Sequence, residues 1–170
     1  MATWNFDPSH STIGFSVRHM VISKVRGRFT KWSGSLVVEG NQPAAASVEI
    51  EVASIDTAEP QRDAHLRSPD FFDAEQFPTI TFQSTRVEQG GARLVGNLTI
   101  HGVTHEIALE VEGGGRGKDP WGNDRIAFEG STSVNRKDFG LGWNQVLEAG
   151  GVLVGEKIDI HVEIEAIRAN

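Results

Sequence analysis

Residues 96–109 read GNLTIHGVTHEIAL, and the alternation of apolar and polar side chains around a central glycine predicts an antiparallel β-hairpin. A two-residue turn is expected at Gly102 and Val103, because a type II′ turn requires glycine at its first central position. This register places Leu98 opposite Ile107. The apolar side chains of both strands then share one face, as a sheet with one buried side requires.

The same period of two recurs along the chain and predicts about eight strands. Residues 12–18 alternate Ile13, Phe15 and Val17 with small or polar side chains, as a half-buried strand requires. Eight is the number at which an antiparallel sheet can close and still hold one small ligand. The other predicted strands contain Leu36 and Val38; Val48, Ile50 and Val52; Ile80 and Phe82; Leu94 and Leu98; Ile107, Leu109 and Val111; Ile126 and Phe128; and Ile158, Ile160, Val162 and Ile164.

In the hairpin that precedes residues 96–109, the face on which the side chains lie depends on the length of the loop. Ile80 and Phe82 share the apolar face only if the loop has an odd number of residues. Gln89, Gly90 and Gly91 supply such a loop, with glycine available for a left-handed position.

Two segments leave the strand period. Residues 60–67 are polar and helix-compatible, with Asp63 and Arg67 spaced for an i,i+4 pair, and Ser68 with Pro69 resembles the start of another short helix. The connector over residues 136–157 is longer than a simple turn, which indicates a functional loop. We interpret the helical segment as a plug or lid of the barrel.

Composition limits the classes of protein to consider. The 170 residues suit one domain spanning residues 1–170, and the formal charge of −7 disfavours nucleic acid as a partner. The absence of cysteine excludes disulfides, thiolate metal ligands and a cysteine nucleophile. No apolar run approaches the roughly 20 residues of a membrane-spanning helix, so no integral membrane segment is expected. A homodimer stays possible.

Aromatic residues are concentrated in the two irregular segments rather than in the strands. Loop aromatics need burial, and two interpretations are open: they complete the core at one end of the barrel, or they close over a ligand at its mouth. The two interpretations are compatible. The residues concerned are Phe71, Phe72, Phe77, Phe139 and Trp143.

Several longer stretches, in order along nearly the whole chain, closely resemble the YceI-like family of polyisoprenoid-binding proteins. They are DPSHSTIGFSVRH (residues 7–19), VRGRFTKWSGSL (25–36), SIDT (54–57), RDAHLRSPDFFDAEQFPTITF (62–82) and GNLTIHGVTHEIAL (96–109). The resemblance implies an all-β, lipocalin-like, antiparallel eight-stranded β-barrel with a short helical insertion. It also implies that the lumen binds long isoprenoid or related amphiphilic lipids.

Many relatives resemble proteins secreted to the periplasm. The sequence here runs from Met1 directly into Trp4, Asn5 and Phe6, without a basic segment and an apolar leader. We therefore expect a cytoplasmic location, or a periplasmic one if a leader has been removed.

The expected ligand site has an apolar lumen and a polar mouth. His19, Arg67, His105 and Arg136 are the candidates for contact with a polar head group, because each lies near a strand end or in a lid segment. Arginine at a mouth could bind a phosphate or carboxylate in a bidentate manner. The predicted lumen residues are Phe15, Val17, Ile50, Val52, Phe72, Phe82, Leu98, Ile100, Ile107, Phe128, Phe139, Trp143 and Ile160.

Several histidines and a triad-like string raise the question of metal binding or catalysis, and we expect structural roles for them. His101 and His105 point to opposite faces in the predicted register and cannot share a metal ion, and His161 should face solvent. The string at residues 7–11 contains the residue types of a hydrolytic triad, but adjacent residues rarely supply triad geometry. A turn before the first long strand, held by Asp7 or Ser9, is the expected role of this string.

The predicted function is binding, transport or sequestration of an isoprenoid or related long-chain lipid, without catalysis. No cofactor is expected apart from a bound isoprenoid or quinone-like lipid. Two alternatives are open: a barrel enzyme that acts on a polyene or quinone with His19 or His105 as acid or base, and a structural protein whose barrel is filled by side chains.

Overall fold

Strands make up most of the described chain, which in this computed structural model comprises residues 2–19, 23–144 and 154–169. Short 3-10 turns lie at Pro8–His10, Val52–Ser54, Gln89–Gly91 and Arg136–Phe139. The strands are β1 (Ala2–Phe6), β2 (Thr12–His19), β3 (Ser23–Phe29), β4 (Trp32–Glu39), β5 (Gln42–Glu51), β6 (Ile55–Asp56), β7 (Thr79–Glu88), β8 (Arg93–Ile100), β9 (Val103–Lys118), β10 (Asp124–Asn135) and β11 (Val154–Arg168), and the helix is α1 (Pro60–Arg67).

Six of the strand segments join in pairs to form three long, interrupted strands. β1 and β2 both run antiparallel along β11, β3 continues into β4, and β5 continues into β6. With β7 to β11 they make eight antiparallel strands, and the sheet closes where β1 and β2 pair with β11. The predicted all-β, eight-stranded barrel with a short helical insertion is therefore confirmed.

The interruption of the first long strand is built from its own side chains. Asp7 precedes the Pro8–His10 turn, and its carboxylate accepts the backbone N–H of Ser9. Beyond the turn, the Ser11 hydroxyl donates to the Glu165 carbonyl and accepts the Glu165 N–H. The Ser11 hydroxyl thus makes the two hydrogen bonds that a backbone group would make in the β-ladder. The predicted role of this string as a turn is confirmed.

A charged network connects the interruption between β1 and β2 to β10. Arg125 donates to Asp7 at 2.8 Å, to Asp119 at 2.8 Å and to Glu165 at 3.3 Å. The hydrogen bonds from Ser9 and Arg125 hold the pKa of Asp7 well below its usual range. The carboxylate is therefore ionised at neutral pH and locks β1 to β10.

The β8–β9 hairpin turns one residue earlier than predicted. His101 and Gly102 both have positive φ, 56° and 72°, which is the type I′ geometry. Histidine tolerates this left-handed conformation better than most residues. Leu98 therefore does not lie opposite Ile107, and the predicted register is wrong; Ile107 lies opposite Gly96. The shift is two residues along β9, so the predicted face is unchanged.

The β7–β8 connection also differs from the expected one. The loop contains four residues, 89–92, and a bulge between Ser84 and Arg86 adds one unpaired residue to β7. The bulge restores the parity that an even loop would reverse. Phe82 and Leu98 consequently pair and both are buried.

Helix α1 begins and ends at the predicted residues, and a buried carboxylate anchors it. Asp63 is 8% exposed and accepts the N–H and the hydroxyl of Thr57, rather than serving the predicted pair with Arg67. The second short helix predicted after Ser68 is wrong, because residues 68–77 form turns. Ser68 instead caps α1, its N–H and its hydroxyl both donating to the carbonyl of His65.

The antiparallel order gives the barrel two different ends. The helix end carries α1, residues 68–78, the His101–Gly102 turn and residues 136–144. The turn end carries the short connections at residues 40–41, 89–92 and 119–123. No helix among the described residues is long and apolar enough to cross a membrane.

Candidate ligand-binding cavity

The interior of the barrel contains a cavity of about 230 Å³. Inward-facing residues of β1 to β5 and β7 to β11 line it, and α1 and the loops of the helix end cover it. Among the described lining residues, only Thr132 and Arg136 bring polar side chains to the interior; Glu129 also borders the cavity, but its side chain is exposed on the outer surface. A cavity with such walls favours an apolar guest, because it offers few partners to a polar one.

Eleven of the thirteen predicted lumen residues line this cavity. Period-two alternation found nine of them, because β-strand side chains point to alternate faces of the sheet, and the other two, Phe72 and Phe139, were predicted as aromatic residues of the irregular segments. Whether they contact a ligand stays a prediction. They are Phe15, Val17, Ile50, Phe72, Phe82, Leu98, Ile100, Ile107, Phe128, Phe139 and Ile160.

Val52 and Trp143 do not line the cavity. β5 ends at Glu51, and Val52 begins a 3-10 turn in which its side chain is buried in the core. Trp143 packs against Phe71 and His65, with ring centroids 5.2 and 4.7 Å away. Trp143 thus joins the loop after β10 to helix α1.

The aromatic residues of the irregular segments lie together at the helix end. Phe71, His65 and Trp143 form a mutual cluster, and Phe72 packs edge-on against Phe29 at 6.3 Å. Phe71 and Phe72 both line the cavity. They therefore complete the apolar wall where the barrel meets α1, as both sequence interpretations require.

Among the predicted head-group residues whose side chains the structure describes, Arg136 alone lines the cavity. It is 3% exposed, and its guanidinium donates to the carbonyls of Leu141, Trp143, Val154 and Gly155 at 2.5–3.3 Å. Burial lowers the pKa of Arg136, but arginine remains charged. The side chain thus holds the two ends of the long connector together.

The other predicted head-group residues lie at or near the helix end. His105 is exposed, shares the inward face of Leu98, forms a 2.8 Å hydrogen bond from Nε2 to the carbonyl of Asp138 and packs on Phe139. Arg67 is the last residue of α1 and does not line the cavity. The side chain of His19 lies outside the described part of the chain. Contact of these residues with a head group stays a prediction.

The remaining histidines have different environments. The His101 ring packs on Phe77 at 4.6 Å, and His161 is exposed as predicted. Among the described residues, one group could hold a metal ion: Glu129, His161 and Glu163, whose ligand atoms lie within 4.8 Å of one another. All three are exposed, on the outer surface of the barrel. The sequence reasoning did not associate them, because Glu129 is on a different strand.

The triad-like string forms a local turn. Asp7 binds the Ser9 hydroxyl at 2.6 Å and His10 Nδ1 at 2.9 Å, and Ser9 and His10 are both exposed. The aspartate therefore contacts both partners directly. In a hydrolytic triad, the histidine stands between the serine and the aspartate.

Sequence reasoning missed several residues of the cavity wall. Trp4 and Phe6 are two residues apart, as apolar residues on one face of a strand are, and this signal could have identified β1. Phe29 is the last residue of β3, and the polar residues and Gly27 of this strand interrupt the period-two pattern of apolar residues. Leu66 comes from a mostly polar helix and had no signal at all. Phe6, Phe29 and Leu66 all line the cavity.

A closed antiparallel barrel with an apolar cavity and a covered end defines a class of small-ligand-binding β-barrel proteins. Within this class the chain matches the model of the YceI-like domain over residues 4–166. The chain therefore belongs to the YceI-like family, which confirms the resemblance in the sequence.

Individual relatives agree with this assignment. A UPF0312 protein of Vibrio cholerae is 39% identical over 160 residues, which cover 91% of this chain and 82% of the relative. The crystal structure of BcnA from Burkholderia cenocepacia has the same fold, with a TM-score of 0.81 and 23% identity over 95% of this chain and 99% of BcnA. A polyisoprenoid binding domain from Saccharophagus degradans also shares the fold, with a TM-score of 0.71 and 15% identity over 99% and 100% of the two chains.

Proposed function

We propose that the protein binds one long-chain amphiphilic lipid, of isoprenoid or acyl type, inside the barrel, and transports or sequesters it without chemical conversion. The observation that carries this proposal is the cavity of about 230 Å³ with almost wholly apolar walls. The polyisoprenoid-binding domain that shares the fold supports the same ligand class.

The binding energy available to such a ligand is large. Each buried methylene contributes about 0.8 kcal/mol, so about ten methylenes yield roughly 8 kcal/mol. That value corresponds to a dissociation constant of about 1 μM. A short segment of an isoprenoid or acyl chain is therefore enough for useful affinity, and no specific polar contact is required.

The head group of the lipid belongs at the helix end in this proposal. Thr132 and Arg136 bring polar atoms to the cavity wall, and His105 lies on the inward face at the helix end, where its ring contacts Phe139. Four carbonyls already occupy the Arg136 guanidinium, so it supplies positive potential more than free donors. A head group at this end can remain partly in water while the tail is buried.

His105 is held at the helix end by one of its two ring nitrogens. Nε2 donates to the backbone carbonyl of Asp138, and the ring packs edge-on against Phe139 at 5.1 Å. The carbonyl that holds Nε2 leaves Nδ1 as the nitrogen that could meet a guest. The contact thus gives His105 a fixed orientation at the mouth, which suits a polar contact with a head group.

The test is a titration with cis-parinaric acid, a fluorescent long-chain probe, followed by displacement with geranylgeraniol. Phe82 is 7% exposed and lines the cavity, so Phe82→Arg places an unpaired charge in the lumen. We expect its dissociation constant to rise by more than about 100-fold. The control is Thr81→Arg, one residue away on the other face of β7 and opposite Glu49.

The control variant should bind the probe within about twofold of the wild type, because its charge points outward. Circular dichroism checks that both variants fold. Equal binding by wild type and a folded Phe82→Arg variant would place the guest elsewhere. Ile107→Phe, which fills the lumen without a charge, repeats the test if Phe82→Arg does not fold.

A further inference from the structure

The turn end of the cavity is closed by a second apolar cluster. Leu36 and Phe128 line the cavity and also belong to the cluster around Trp4, which is 1% exposed. Trp4 does not itself line the cavity. Its indole therefore packs behind Leu36 and Phe128, outside the lumen and on the side of the turn end.

A cation covers the outer side of this closure. The guanidinium carbon of Arg116 lies 5.1 Å from the centre of the Trp4 ring, and its Nη1 contacts the side chain of Asn41 at 3.5 Å. Asn41 belongs to the β4–β5 turn, so Arg116 bridges from β9 over the indole. Trp4 and Arg116 together separate the apolar interior from water at this end.

Packing rather than hydrogen bonding holds the indole in place. Trp4 Nε1 is buried and has no hydrogen-bond partner among the described residues. Exchange of Trp4 for a smaller hydrocarbon side chain breaks no hydrogen bond and removes a buried unsatisfied donor, which offsets part of the lost packing. A variant at this position is therefore a practical test.

We infer that Trp4 is the residue that limits the length of the chain the barrel accepts. This inference rests on the proposed function. A tail that enters with its head group at the helix end runs along the lumen towards Leu36 and Phe128, and its last carbons meet the Trp4 cluster. Longer chains must then leave carbons outside the lumen at the helix end.

The experiment is a displacement series on the whole protein, with saturated fatty acids of about 12 to 22 carbons competing against cis-parinaric acid. Each methylene that enters the lumen strengthens binding about fourfold, so wild-type affinity should rise with length and then level off. Trp4→Leu should move that limit by at least about two carbons. The longest acids then bind about tenfold more tightly, and the shortest are unchanged within about twofold.

The matched control is Trp121→Leu, the same substitution at the tip of the β9–β10 turn, also at the turn end. Trp121 is 81% exposed, so its removal cannot lengthen the lumen. The length limit of this variant should equal that of the wild type. Trp4→Phe, a smaller change, should shift the limit in the same direction and serves if Trp4→Leu does not fold.

The outcomes separate the inference from the proposed function. If the wild type binds none of the acids and no prenyl alcohol, the proposed function fails. If the wild type shows a length limit and a folded Trp4 variant keeps it, the inference alone is overturned. A uniform loss of affinity at every length in that variant also overturns it, because Trp4 would then support the barrel without limiting the chain.

Discussion

Arg136 lies where the connector after β10 leaves the barrel, and its guanidinium also reaches the start of β11. It binds the carbonyls of Leu141 and Trp143 on one side and those of Val154 and Gly155 on the other. A buried charge is tolerated only when its hydrogen bonds are satisfied. Among the described residues, its hydrogen-bond partners are backbone carbonyls, so the residue acts as a clamp on the connector.

Removal of this clamp should destabilise the protein. Arg136→Gln leaves buried carbonyls without donors, and we expect the free energy of unfolding to fall by about 2–4 kcal/mol. Urea denaturation followed by tryptophan fluorescence measures the change. The control is Lys137→Gln, which removes a half-exposed ion pair with Glu156 and should cost less than about 1 kcal/mol. Equal losses in the two variants would show that Arg136 is not a clamp.

At the scale of the element, the β8–β9 hairpin shows what period-two alternation determines. The inward faces of Leu98 and Ile107 follow from the pattern, because either turn keeps both apolar sets on one side. The register does not, because it depends on whether His101 accepts a positive φ. That conformation is decided by the surroundings of the turn, such as Phe77 beside Gly102, and a single sequence does not show them.

Gly102, in the turn of this hairpin, should be sensitive to substitution. Its φ of 72° and the Phe77 ring, 2.7 Å from where a Cβ would lie, both oppose a side chain. Gly102→Ala should therefore destabilise the protein by about 1–3 kcal/mol. Gly117→Ala on β9 meets no atom within 4 Å and should be neutral or slightly stabilising. Thermal unfolding compares the two; no difference between them would refute the strain at this turn.

The β7–β8 connection gives a second lesson at this scale. Sequence reasoning fixed the face of Phe82 and inferred an odd loop from it. The structure reaches the same face with an even loop and a bulge between Ser84 and Arg86. Different combinations of loop length and bulge place the same side chains on the same face of the sheet. The hydrophobic pattern therefore predicts the face but not the loop and bulge that produce it.

At the scale of the whole molecule, the sequence predicted eight strands and their inner faces but not their interruptions. Three long strands contain breaks, and at one of them the Ser11 hydroxyl takes the place of a ladder group. Alternation also could not distinguish a filled barrel from a hollow one, since both need apolar residues inside. Whether a cavity remains depends on side-chain packing over many long-range contacts, for example between Leu66 of α1 and the lumen.

The central claim is that the hollow interior holds one lipid chain, and native mass spectrometry of the gently purified protein tests it most directly. We expect a species heavier than the chain by one long-chain amphiphile, which solvent extraction then releases unchanged and in about one-to-one ratio. If the protein carries no such molecule, and added cis-parinaric acid or geranylgeraniol gives no one-to-one complex, the barrel is not a lipid carrier and the account is contradicted.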